Sequence, residues 1–113
     1  MARKRPKKQT GRQKEEAMVQ VDAFLIPAPQ VEMYQTLREA VAIEAIEYWQ
    51  GKYPTVNRIA DDPEEGEAIQ VKDQTGQELF RFYLNPFNIS EAQKARDRDQ
   101  LDKFLIKFEE DSP

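Results

Sequence analysis

The sequence predicts an α+β domain: a small three-stranded, largely antiparallel sheet packed by a long central helix and a C-terminal helix, in the order β-α-β-β-α. Three observations carry this expectation. Gln30 to Gln50 run without proline or glycine, and most of their apolar residues share one side of a helix. A hairpin signature follows, with Ala68–Lys72 and Glu78–Leu84 alternating around Asp73-Gln74-Thr75-Gly76. Near the end, Leu101, Phe104, Leu105 and Phe108 recur at i, i+3, i+4, i+7.

Taken in order, residues 1–17 form a basic arm with nothing to bury, expected to be disordered. Met18–Ile26 alternates Val19, Val21, Ala23 and Leu25 against Met18, Phe24 and Ile26, the pattern of a single strand. Pro27 ends it, and Pro29 suits the first position of the next helix, where its missing N–H costs nothing. On the Gln30–Gln50 helix an apolar arc runs from Ala40 and Met33 through Leu37, Tyr48, Val41, Tyr34, Ala45, Trp49 and Ala42 to Ile46. Arg38, Gln35 and Glu44 interrupt the arc, and Ile43 falls on the wet edge. An arc this wide calls for cover on two sides. Gly51 and Pro54 terminate the helix.

Thr55–Ile59 reads as a short extended piece, and Asp61–Gly66 as a loop. Gly76 is placed in the left-handed region of the hairpin turn. On the second hairpin strand Phe80, Phe82 and Leu84 share one face, while Leu79, Arg81 and Tyr83 share the other. The last helix is expected from Asn88 or Ser90, both capping-box starts, to about Glu109. Its first half is polar through Lys94–Gln100. The body is a single domain, 18–110, with a tail at 111–113.

Composition narrows the chemistry. The chain has no cysteine and no histidine, which removes disulfides, thiolate sites and the commonest acid–base group. With no phosphate-cradling glycine loop either, no catalytic residue, metal ligand or cofactor is assigned and a non-enzymatic role is expected. No stretch has the length of a membrane span, and the cytoplasm is the expected compartment. Six Phe, four Tyr and one Trp still supply a core.

Charge gives the functional lead. Residues 1–14 hold Arg3, Lys4, Arg5, Lys7, Lys8, Arg12 and Lys14 with no acid, a balance of +7. The remainder has ten basic and twenty-one acidic residues, −11, which together make the overall −4. These seven cations are the candidate RNA- or DNA-binding residues, able to track a phosphate backbone. Trp49, Tyr53, Arg81 and Tyr83 are the candidate protein-contact residues. Glu44 interrupts the apolar arc and calls for a cation, with Lys103, Lys107 or Arg81 as candidates.

The leading expectation is therefore a binding or assembly protein, its acidic body docking on a protein and its arm on nucleic acid. A second reading is a protein–protein adaptor or accessory subunit, with the arm as a tether and a homodimer formed through the wide helix. A third is a metal-dependent hydrolase or nuclease using the acidic 61–67 segment.

Overall fold

The computed structural model describes residues 17–112, which form an α+β fold with a three-stranded antiparallel sheet, a long helix and a C-terminal helix pair. The elements are β1 (Met18–Val21), β2 (Phe24–Pro27), α1 (Val31–Gln50), β3 (Thr55–Asp62), β4 (Gly66–Lys72), β5 (Glu78–Tyr83), α2 (Pro86–Asp97) and α3 (Leu101–Asp111). The sheet is a meander in the order β3-β4-β5. The N-terminal basic arm lies outside the described residues.

The expected single strand Met18–Ile26 is instead a hairpin with its own two-stranded sheet. The chain reverses at Asp22, whose φ of 54° is the left-handed conformation that Asp tolerates better than most residues. A two-residue reversal switches parity. Val19 and Val21 therefore share a face with Phe24 and Ile26, not with Ala23 and Leu25. Val21 and Ile26 enter the core, leaving Leu25 exposed.

Pro29 does not open α1. It sits in a 3₁₀ turn, Ala28–Gln30, and the α-helix begins at Val31. Tyr34, Val41, Ala42, Ala45 and Trp49 are buried along the predicted arc. Met33 is the exception at 59% exposed, whereas Ile43, placed on the wet edge, is 55% exposed as expected. Gly51 caps the helix in the right-handed region, and the N–H groups of Lys52 and Tyr53 both donate to the Trp49 carbonyl.

The piece beginning at Thr55 is a full edge strand extending to Asp62, so the acidic loop shrinks to a tight turn. Asp62 builds that turn itself: its Oδ1 accepts the backbone N–H of Glu64 and of Glu65, both at 2.8 Å. Gly66 completes it at φ 77°. In the next turn Asp73 Oδ1 takes the N–H groups of Thr75 and Gln77, and Gly76 is left-handed as predicted.

The single C-terminal helix is two. Asn85 is the N-cap, its Oδ1 accepting the Asn88 N–H at 2.7 Å, and Pro86 occupies the first turn, so neither Asn88 nor Ser90 starts the helix. The break falls at Arg98–Gln100, where Asp99 adopts φ 56° and the Gln100 N–H reaches back to the Ala95 carbonyl. On one straight helix, Ile89 and Ala92 would point roughly 140° away from the Leu101–Phe108 stripe at 100° per residue. Breaking the helix lets both be buried.

The core is centred on Trp49, which is 0% exposed and packs its ring against Phe80, Phe82 and Phe108 at centroid separations of 5.2, 5.8 and 6.3 Å. Phe82 packs on Phe104 and Phe108, and Tyr53 on Phe80.

Gly66 and Gly76 provide a graded test of the backbone. Both are left-handed, but a Cβ at Gly66 would lie 3.3 Å from Asp22 Cβ and 3.4 Å from Phe24, while one at Gly76 meets nothing within 4 Å. Gly76→Ala should cost about 1 kcal/mol from the backbone alone, and Gly66→Ala about 2 kcal/mol because the β1–β2 turn must also shift. Urea unfolding of the two variants measures the difference.

Candidate functional site

The body's cations are largely committed to its own carboxylates. Arg38, Lys52, Arg58, Arg81, Lys94, Arg96 and Lys107 each lie within 4.0 Å of an acidic oxygen. The densest group joins Asp22, Arg38, Glu67, Arg58 and Glu39. Arg58, on the helix-facing side of β3, forks to both oxygens of Glu39 on α1 and both of Glu67 on β4. Arg38 pairs with Asp22, stands 3.8 Å from Glu67, and lies over the Tyr34 ring. The Arg58 hydrogen bonds hold the Glu39 carboxyl below its usual range and push the Arg58 guanidinium still higher. Tyr34 is raised, chiefly by burial, and donates its O–H to the Leu84 carbonyl at 2.7 Å. The group ties the N-terminal hairpin and α1 to the sheet, which is a structural task.

Of the predicted contact residues, Trp49 does not belong to the surface. A wide arc read from sequence cannot say which end of the helix is capped, and α3 caps this one. Tyr53 is half-buried, and its O–H donates to Glu109 Oε1 at 2.6 Å while Lys52 binds the other oxygen at 3.0 Å. It fastens the end of α3 to the end of α1. Arg81 and Tyr83 lie on the sheet face away from the helices. Arg81 contacts carboxylates, but of its own chain: Glu78 at 2.8 Å and Asp61 at 3.6 Å. The Tyr83 O–H reaches Asp62 at 3.3 Å. Glu44 pairs with Arg96 on α2, not with Lys103, Lys107 or Arg81, because α2 rather than α3 runs beside that part of α1. Arg3, Lys4, Arg5, Lys7, Lys8, Arg12 and Lys14 lie outside the described residues.

The structure adds an aromatic groove that the sequence reading missed. Phe87 follows Pro86 in the first turn of α2 and is 71% exposed. With Phe104 and Phe108 it lines a cavity of about 360 Å³ between α2 and α3. A second cavity of about 690 Å³, between β5 and the end of α3, shares Phe108 and Asp111 with the first. The available signal was Asn85-Pro86, which marks a cap and first helical turn and so places Phe87 at a helix start. A third cavity, about 330 Å³, lies between α1 and α2 and includes Met33.

Among the described residues no group of carboxylates is arranged to hold a metal ion, and no helix is long and apolar enough to cross a membrane.

The electrostatics predict acid sensitivity. Glu39 is lowered from 4.5 by Arg58, Asp62 from 3.8 by the Glu65 and Glu64 N–H groups, and Asp73 from 3.8 by Thr75. A lowered carboxylate stabilises the fold above its unfolded value, and that contribution disappears as pH falls through the folded value. Tm should therefore fall from about pH 5 toward pH 3. Glu39→Gln should reduce that slope and cost little once pH reaches about 3, as thermal melts across the range would show. Comparison of the chain with family models, curated proteins and solved structures finds no match.

Proposed function

We propose that this chain is a small binding and assembly protein whose acidic body docks on a protein partner and whose basic arm engages RNA or DNA. The observation that carries this is how the charge is used. Residues 17–112 contain ten basic residues and, once Glu15 and Glu16 are set aside from the twenty-one acids, nineteen acidic ones, a balance of −9. Seven of those ten cations are already ion-paired within the body. Such a surface repels a phosphate backbone, while residues 1–14 concentrate +7 in a short segment. Fully extended, those residues span on the order of 45–50 Å, enough to follow several phosphates. The exposed apolar surface around Phe87 supports the protein-docking half of the reading, since a rimmed apolar patch on a polar body marks contact sites.

The test compares the full chain with a form lacking residues 1–14 on single- and double-stranded RNA and DNA across a salt series. The full chain should bind with a log–log salt slope of roughly −5 to −6 if all seven cations meet phosphates. The shortened form should lose that binding while keeping the same Tm. Equal binding by both forms, or none by either, would sink the nucleic-acid role and leave the arm as a tether.

A further inference from the structure

We infer that the edge of β5, unpaired among the described residues, and the aromatic groove beside it take up an extended segment of another protein, added as a fourth strand, with alternating apolar side chains and lysine or arginine at its ends. This deepens the protein-docking half of the proposed function by naming the surface and the form of the partner.

In an antiparallel ladder, opposed residues alternate between pairs that exchange hydrogen bonds and pairs whose backbone groups point outward. The Leu84 N–H donates to the Glu67 carbonyl at 2.8 Å, and the register continues as Ala68↔Tyr83, Ile69↔Phe82, Gln70↔Arg81. Leu84 and Phe82 therefore face β4, and Tyr83 and Arg81 turn their backbone groups to the open side. One of those groups is taken, the Tyr83 carbonyl, by Asn88 Nδ2 at 2.8 Å. The rest form a short template for another strand. The opposite edge, β3, carries Asn57, Arg58, Asp61 and Asp62, the charged and polar blunting usual on an edge, whereas β5 reads ELFRFY.

Leu79, Phe80 and Phe108 line the cavity next to β5, which continues past Phe108 to Phe104 and Phe87. Alternate side chains of an added strand would reach this apolar floor. Charge sets the ends of the segment. α3 finishes with Glu109, Glu110 and Asp111 and has no base in its last turn, although a helix C-terminus already carries partial negative charge. Glu109 is engaged by Lys52 and Tyr53, Asp111 lies 3.5 Å from Lys107, Glu78 2.8 Å from Arg81 and Glu91 3.1 Å from Lys94, so among the described residues Glu110 and the partial negative charge of the helix end are left without a cation. A cationic flank on the incoming segment would supply one.

The test titrates the isotope-labelled full chain with the peptide KKFTVTFTKK and follows backbone amides by NMR. Shifts should cluster at Leu79–Leu84, Phe87 and Phe108, and amide exchange at Arg81 and Tyr83 should slow on binding. The acidic-ended peptide EEFTVTFTEE should bind at least about tenfold more weakly if the acidic rim sets the preference. Arg81→Pro removes an outward N–H without touching the β4 ladder, so it should abolish binding while the fold survives. Phe87→Ser, at an exposed position, should leave Tm unchanged and weaken binding about tenfold or more. The inference is overturned by shifts confined to the α1–α2 groove, or by full affinity in both variants. Protection of the Arg81 and Tyr83 amides in the free protein would also overturn it, with light scattering showing whether a second copy is the occupant. None of these readouts involves residues 1–14, so failure here and failure of the nucleic-acid role are separable.

Discussion

Trp49 is the point at which three elements become one core. It stands in the last turn of α1, against Phe80 and Phe82 from β5 and Phe108 from α3, with the ring planes inclined edge-to-face or tilted. Aromatic pairs in this geometry contribute about 0.5–1.5 kcal/mol each beyond the area they bury. Among the described residues no acceptor reaches the buried indole N–H, which makes burial of the ring more expensive. The packing that joins α1, β5 and α3 has to outweigh that cost. The hydrogen bond from Tyr53 to Glu109 closes the same end from outside.

At the other end of α1 the tie is electrostatic. Arg38 and Arg58 hold Asp22, Glu39 and Glu67 in one group, and the β1–β2 turn sits directly on Gly66. These side chains are partly exposed, and isolated exposed pairs contribute only about 0–1 kcal/mol. The forked geometry of Arg58 makes the group more effective at setting orientation than at adding stability. It places the small N-terminal hairpin, which could not stand alone as two strands, against the rest of the molecule.

Among the described residues this division leaves one region with no structural duty: the rim where β5, α2 and α3 meet, with Phe87 exposed, the β5 edge unpaired and Glu109, Glu110 and Asp111 closing a helix end that disfavours acids. Departures from local rules of this kind concentrate where a protein meets something else. The α1–α2 groove around Met33 is a plainer feature: it has apolar lining but neither an open backbone edge nor a comparable charge imbalance.

Local pattern alone determined the elements with strong periodicity: α1, the β4–β5 hairpin with left-handed Gly76, the α3 stripe and the α+β class. The opposition of a +7 arm to an acidic body was equally legible, because charge counts need no coordinates. Parity and phase decided the rest. A reversal at Asp22 keeps an alternating pattern that also fits one strand, and a break at Asp99 keeps polar residues that also fit one helix. In the second case the two stripes were out of phase on a single helix, a signal present in the sequence but readable only by asking what each half must cover. Trp49 in the core rather than at the surface, Arg96 rather than a lysine beside Glu44, and the groove at Phe87 were settled only by tertiary structure. Each depends on which distant element arrives alongside, and residues 17 to 59 positions apart in the chain leave no local periodicity to record that meeting.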